Sequence, residues 1–307
     1  MDLRRLEALV ALEREGTMSA AAEALGCGQP TISHHLRRLE EETGAVLVQR
    51  AGRGVRLTPD GVRLAERGRE ILALLRRAEL ELDAATTLAS GHVRLAAFPS
   101  ACSVIVPKLL VRLRESAPGL HVDLVEAEPP EAAAMLRAGE VDLAVTFAYA
   151  GQGFGGDVVT EHLGWDALHL VEGTAHAAVV GRTKTKDGGV EPDALGALAD
   201  ARWVAGCERC RTGLVDLCES VGVSPRIDFA SDDVVAVQAL VAAGFGVTLL
   251  PDLALRAHRD AGVATQPMRG AGRELQVATF GAMPRPAAVE EVVQTLLELM
   301  REGAFAY

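Results

Sequence analysis

Aromatic side chains are scarce in this 307-residue chain, where Phe, Trp and Tyr together make up 4%. Packing therefore falls to Ala, Leu and Val, and a hydrophobic fraction of 49% is ample for substantial cores, which excludes wholesale disorder. Long apolar runs are missing too. The opening stretch MDLRRLEALVALEREG carries Asp2, Arg4, Arg5 and Glu7, so it does not read as a secretory signal. The longest uncharged stretch, Val234 to Pro251, reaches 18 residues, the lower edge of a membrane span. It contains Gln238, two glycines and a closing proline, and reads instead as a buried helix, a Gly-Phe-Gly turn and a buried strand. No membrane contact and a cytoplasmic location are expected.

Five cysteines, Cys27, Cys102, Cys207, Cys210 and Cys218, form an odd set. Without a secretory signal, free thiols are the default and a disulfide framework is not. Signature motifs of enzymes are also scarce: there is no G-x-S-x-G, H-E-x-x-H or P-loop, and the one G-x-G-x-x-G spacing, Gly151 to Gly156, lies in a Gly-rich loop that no helical pattern follows. The stretch GFGVTLLP lacks the third glycine and follows a helix rather than a strand. A cysteine nucleophile, Cys102 or Cys207 with a histidine base, is the remote catalytic alternative. The expectation is no enzyme, no catalytic residue, no metal and no cofactor.

Positive charge is deficient overall, with a formal net charge of -11. The deficit is uneven: the first 91 residues hold 13 Lys/Arg against 14 Asp/Glu, net -1, so the remainder carries -10. That balance argues against a general nucleic-acid coat. It leaves room for a local basic face, because charges act within roughly a Debye length of 10 Å. Arg50, Arg53 and Arg56 fall in one acid-free stretch.

What is present at the N-terminus is a succession of short helical patterns. Leu3, Leu6, Val10 and Ala11 predict an amphipathic helix ending near Gly16. Ser19 is placed to cap a second, Ala20 to Leu25, stopped by Gly26. Gly28 and Gln29 open a third, with Pro30 in its first turn, where a missing N–H costs nothing. On that helix Ile32, Leu36 and Leu39 share one side, and Ser33, His34, Arg37 and Arg38 fall on the other. Val46–Gln49 and Val55–Thr58 predict a hairpin with arginines at its tip. Thr58-Pro59-Asp60 then starts a long helix running to about Ser90. Its positions 64, 68, 71, 75, 78, 82, 85 and 89 are Leu, Gly, Ile, Leu, Ala, Leu, Ala and Ala, a heptad-like seam that calls for a second copy.

Three helices, a basic hairpin and a dimerising helix make a winged helix-turn-helix, whose third helix enters the major groove. His34, Arg37 and Arg38 are then groove-facing donors. Gln29, Pro30, Thr31 and Ser33 lie near the helix N-terminus, where backbone N–H groups attract phosphate, and Arg50 and Arg53 sit on the wing. The plain alternative is a charged solvent face. A metal site at His34-His35 is disfavoured, since neighbouring helical residues diverge by about 100°.

The stretch AAAEALGCGQPTISHHLRRLEEETGAVLVQRAGRGVRLTPDG resembles the DNA-binding half of LysR-type transcriptional regulators. It carries the alanine-rich second helix, the Gln-Pro-x-x-Ser start, the pair Leu39-Glu40 and the Leu-Thr-x-x-Gly exit from the wing. SDDVVAVQALVAAGFGVTLLP is similar to that family's effector domain. Two departures stand out: Val48 replaces the usual aromatic of the wing, and Gly28 replaces a capping residue, at a cost of a few tenths of a kcal/mol.

The resemblance implies an α/β chain with an N-terminal winged helix-turn-helix over 1–58, a dimerising linker helix over 59–90, and two Rossmann-like, periplasmic-binding-protein-like effector subdomains. Subdomain I is expected over 91–160 plus 268–307 and subdomain II over 161–267, joined by two crossover strands. The pattern from His92 agrees. Strands VRLAAF, VDLVEA and DLAVTF alternate with helices reaching Ala117 and Ala138, as in doubly wound α/β units. Further strands are expected at 158–163, 167–171, 177–181, 202–205, 226–230, 246–250, 263–267 and 274–280, with helices at 212–221, 232–243 and 286–302.

Ligands in open α/β sheets sit beyond the carboxyl ends of strands, near helix N-termini. Three stretches fit: Phe98 to Ser103, Thr146-Phe147, and Gly206 to Arg211. Ser100, Ala101, Cys102, Phe147, Gly206, Cys207 and Glu208 are the expected effector contacts. Ser100 and Ser103 suit a carboxylate, hence an anionic metabolite, with simple N-caps as the alternative. Phe147 is an apolar wall or plain core. Cys207-x-x-Cys210 opens a helix, where thiol pKa values fall. It offers two ligands where zinc needs four, so the alternatives are redox or metal sensing and small packing residues. Whether Cys102 and Cys207 face each other stays open. The implied partners are a double-stranded DNA operator, a small-molecule effector, the chain itself as homodimer or homotetramer, and RNA polymerase.

Overall fold

The computed structural model describes all residues except 52–53, 85–90, 176, 178–188, 282–284 and 304–307; for Ala51 and residues 76–84 the backbone alone is described. The chain forms two compact units, 1–87 with 134–141, and 88–133 with 142–307.

In the first unit, α1 (Leu3–Glu15) begins where the Asp2 carboxylate accepts the Arg4 N–H at 2.9 Å and ends at Gly16, with φ of 71°. Helix α2 spans Met18–Ala24 and is capped by Thr17, not Ser19, because the Thr17 hydroxyl accepts the Ala20 N–H at 3.2 Å. Helix α3 (Gln29–Thr43) buries Ile32, Leu36 and Leu39 against Leu9, Leu12 and Ala21. The hairpin pairs β1 (Val48–Ala51) with β2 (Gly54–Leu57), Val48 opposite Leu57. It starts two residues later than the sequence pattern suggests. The Glu40 carboxylate of α3 accepts the Leu47 and Val48 N–H groups at 2.8 and 3.1 Å, holding that entry out of the ladder.

Helix α4 (Pro59–Ala84) is capped by Thr58, whose hydroxyl accepts the Gly61 N–H at 3.0 Å and donates to the Val46 carbonyl at 2.7 Å. Gly61 crosses so close to the hairpin that a Cβ there would meet the Leu47 carbonyl oxygen at 2.1 Å. The expected seam needs correction. Leu64 packs on the three-helix core, and Gly68 rests against Leu6 and Val10 of α1, so this part of the stripe is spent inside the unit. Ile71, Leu74 and Leu75 are the exposed apolar residues that follow. Side chains at 78 and 82, and residues 85 and 89, lie outside the description.

The second unit is a mixed α/β fold. Strands β3 (His92–Ala97), β4 (His121–Glu126) and β5 (Leu143–Ala148) run parallel. Between them lie α5 (Pro99–Val104), α6 (Val106–Ser116) and α7 (Pro129–Arg137), the last shared with the first unit. The single helix expected up to Ala117 is two, since Pro107 has no N–H for the Ser103 carbonyl. Strands β6 (Val158–Gly173), β9 (Thr248–Pro251) and β10 (Val263–Phe280) complete a sheet of order β4-β3-β5-β10-β6-β9. Four expected short strands, 158–163, 167–171, 263–267 and 274–280, are thus two continuous ones. Register shifts after Pro267 and Leu275 absorb the glycines that read as breaks.

A two-stranded parallel sheet pairs β7 (Arg202–Ala205) with β8 (Arg226–Ala230), flanked by α8 (Glu208–Ser220) and α9 (Val234–Ala242). Trp203 bridges to Val247 just before β9. Two short elements have no counterpart in the sequence reading: a 3-10 stretch at Pro192–Leu198 and α10 (Asp252–Ala257). Helix α11 (Ala287–Arg301) packs Val289, Val292 and Leu296 onto the core with Val93, Leu95 and Leu109. The strand expected at 177–181 lies almost wholly outside the described residues.

Candidate nucleic-acid interface and ligand cavity

With Ile32, Leu36 and Leu39 turned inward, α3 exposes Gln29, Pro30, Thr31, His34, Arg37 and Arg38, and Ser33 is half-buried. Gly28 supplies no side-chain cap; its carbonyl accepts the Thr31 N–H at 2.9 Å and Pro30 has no N–H, so the Gln29 amide is the first-turn donor open to an outside acceptor. Arg38 leans along the helix to Glu41 at 2.8 Å. An exposed pair of that kind contributes only about 0–1 kcal/mol and yields readily to a phosphate. The rings of His34 and His35 stand 6.1 Å apart, tilted by 58°. Arg50 is exposed on β1 opposite Val55. Arg53 lies outside the described residues.

The second unit holds a cavity of about 100 Å³. Of the residues named from the sequence, Ser100, Phe147, Gly206 and Cys207 line it, together with Ser103, Glu128, Cys210 and Arg273. Leu249, Leu250, Val237 and Pro251 give it an apolar wall. Three expected contacts do not take part. Ala101 is fully buried in the core, and Glu208, one residue into α8, points to solvent. Cys102 turns back to donate to the Ala97 carbonyl at 3.2 Å, so it does not face Cys207 across the cleft. Burial, then Glu126, pushes its thiol up to about 11.

Arg273 and Glu128 escaped the sequence reading. Arg273 sits on β10 opposite Asp166 of β6, 2% exposed, with Nε 2.9 Å from the Asp166 carboxylate. Asp166 also accepts the Leu253 N–H at the start of α10, at 3.0 Å. Arg273 reaches Ser100 Oγ at 3.3 Å, and its guanidinium lies 4.0 Å from the Phe147 ring centre and 4.8 Å from that of Phe98. Burial works against the charge, and the Asp166 carboxylate together with Tyr149 and Cys210 more than offsets it, so Arg273 is held firmly protonated. Glu128 lies just past the carboxyl end of β4, the position that favours ligands in such sheets. Its Oε2 is buried without a partner among the described residues. Burial raises its carboxyl pKa; Cys207 and Arg273 act the other way.

Cys207 is the N-cap of α8 and Cys210 lies in its first turn, with the sulfurs 3.2 Å apart. The hydrogen bond between them and burial push Cys207 upward. The same bond lowers Cys210, aided by Arg273 and opposed by burial. Cys218 is buried in the core, raised to about 11 by burial.

The chain as a whole is similar to known proteins. The "LysR substrate binding domain" matches residues 86–303, and the "Bacterial regulatory helix-turn-helix protein, lysR family" matches residues 3–62. The chain belongs to the LysR family. Among relatives of this regulator is the HTH-type transcriptional regulator TfdS of Cupriavidus pinatubonensis (strain JMP 134 / LMG 1197), 30% identical over 311 residues, covering 99% of each chain. ClcR of Pseudomonas putida is 28% identical over 256 residues, covering 82% of this chain and 83% of its own. In fold, the LysR-type chain is similar to full-length CbnR complexed with its target DNA, with a TM-score of 0.66 at 23% identity over 97% of this chain and 99% of that one. Full-length OxyR from Pseudomonas aeruginosa gives 0.71 at 23% identity over 97% and 98%. The protein is thus a LysR-type DNA-binding transcriptional regulator with a C-terminal effector-binding domain of two subdomains. Among the described residues no helix is long and apolar enough to cross a membrane.

Proposed function

We propose that α3 reads the operator through Thr31, Ser33, His34, Arg37 and Arg38, with Gln29 and Pro30 fixing the N-terminal approach and Arg50 and Arg53 holding phosphates. The exposure of His34, Arg37 and Arg38 opposite the buried Ile32-Leu36-Leu39 stripe carries this assignment. Ile71, Leu74 and Leu75, solvent-exposed along α4, support pairing of two copies. In this reading the protein acts in the cytoplasm as a homodimer or homotetramer, without enzymatic chemistry, and communicates with RNA polymerase. Leu75→Glu places a carboxylate in that stripe. It is expected to shift sedimentation to the single chain and abolish operator binding; an unchanged oligomer removes α4 from the interface.

The effector occupies the cavity, its apolar body against Phe147, Leu249 and Val237. An anionic head meets Ser100, Gly206 and the remaining N–H of Arg273, and Cys207 flanks it. Electrostatic recognition needs only that free N–H, because the Arg273 charge is already balanced by Asp166. Thermal-shift titration with small apolar carboxylates and their uncharged amides tests this. Stabilisation by acids alone supports it, and equal response to both series sinks the anionic head.

A second reading follows from the 3.2 Å contact of Cys207 with Cys210 inside this cavity: the pair serves as a thiol sensor. Counting free thiols under mild oxidant while following operator binding separates the two. Loss of both thiols with a change in binding that Cys210→Ser abolishes favours the sensor.

A further inference from the structure

At the opposite ends of β3 and β4 from the cavity residues Phe98 and Glu128, the parallel pairing of the two strands sets His92 directly beside His121. Asp123 follows two residues on, which returns it to the face of His121. Both imidazoles turn to the one carboxylate: His92 Nε2 lies 2.8 Å from Asp123 Oδ2, and His121 Nε2 3.1 Å from Asp123 Oδ1. The rings are 5.2 Å apart, and one nitrogen from each, with a carboxylate oxygen, all fall within 4.8 Å of one another. Among the described residues it is the one such cluster of three or more His, Cys, Asp and Glu ligand atoms. All three residues are exposed, so their ion pairs alone contribute little. The nearby cation on this face, Arg94, is drawn aside to Asp142 at 2.6 Å and does not compete for Asp123.

We propose that His92, His121 and Asp123 form a binding site for a zinc-type divalent transition-metal ion. A tetrahedral ion with bonds of about 2.0–2.1 Å separates its ligand atoms by about 3.3 Å; the two nitrogen-to-carboxylate distances, 2.8 and 3.1 Å, are close to that, and a small turn of the exposed rings brings in the rest of a cluster that spans no more than 4.8 Å. Two imidazoles and one carboxylate suit zinc, cobalt or nickel, whereas magnesium and calcium take all-oxygen sites. Binding replaces the two N–H···O bonds: each neutral ring takes the tautomer with its proton on Nδ1, which frees Nε2 for the ion, while a charged ring releases its Nε2 proton to solvent, and Asp123 becomes a ligand. With three protein ligands a coordination position stays open to water, so the ion exchanges. Because β4 is the outer strand of its sheet, the ion pins that edge to β3 at the ends where both strands begin. This gives the regulator an input distinct from operator and effector.

The test uses the untagged full chain, titrated with Co²⁺ and then Zn²⁺. The expected result is one ion per chain with visible ligand-field bands, displaced by Zn²⁺, together with slower hydrogen exchange of the β4 amides. His92→Ala, His121→Ala and Asp123→Asn each abolish the bands without altering the circular dichroism, and the Cys207→Ser/Cys210→Ser double variant keeps them. No uptake, uptake unchanged in His121→Ala, or uptake lost with the two cysteines overturns the proposal.

Discussion

Arg37 and Arg273 show what two regions of one chain do with the same side chain. Arg37 stands exposed on α3, the opposite side of which is filled by Leu36 and Leu39. Arg273 is 2% exposed, opposite Asp166, over Phe147 and within reach of Ser100. A solvated cation leaves most of its attraction for an incoming phosphate or base edge. A buried cation is consumed by the architecture that makes its burial tolerable, and offers a ligand only its leftover N–H. The reading helix is therefore separable from stability, and the cavity is not.

The sharpest way to break this contrast is Asp166→Ala. It leaves Arg273 uncompensated in the interior and removes the acceptor of Leu253 N–H, so about 3–5 kcal/mol of stability should be lost in denaturant titration. A loss below about 1 kcal/mol would mean that Arg273 reaches water after all. In the reading unit the vulnerable point is steric. Helix propensity favours alanine over Gly61 by about 1 kcal/mol, yet a Cβ at 2.1 Å from the Leu47 oxygen should reverse the sign, with a net loss of about 1–3 kcal/mol. Arg37→Ala sharpens the other half. Specific operator affinity should fall by about 1–3 kcal/mol in quantitative footprinting, with thermal stability changed by no more than about 0.5 kcal/mol.

The smallest expected effect is a pH dependence. Because burial raises the Glu128 pKa in the folded state, its protonated form favours folding. That contribution is present below the ordinary carboxylate pKa and fades as pH climbs through the raised one. Glu128→Gln keeps a neutral group throughout. The melting temperature of the variant relative to the parent should therefore rise as pH increases from the acid range towards neutral; a constant difference would place Glu128 in water.

The first unit was legible because its signals are local. Ile32, Leu36 and Leu39 recur at helical spacing, and Thr58-Pro59-Asp60 marks a helix start within three residues. Misplacements there came from side chains competing for backbone groups, as Thr17 does for the Ala20 N–H and Glu40 for two hairpin amides. The heptad seam was over-read because periodicity reports an apolar face without saying what covers it, and Gly68 is covered by α1. In the second unit the strands were found but not their continuity, since bulges let β6 and β10 pass glycines that usually end strands. Arg273 and Asp166 are 107 residues apart, and each alone reads as a solvated charge. His92 and His121 became neighbours only through the register of two parallel strands.

Glu40 also governs flexibility. A single carboxylate rooted in α3 grips both amides at the doorway of the wing, so helix and hairpin turn together as one stiff probe. Duplex encounter then has little loop motion left to quench at that joint, and exchanging this glutamate for glutamine or alanine would convert a preset tool into one that must be assembled on contact.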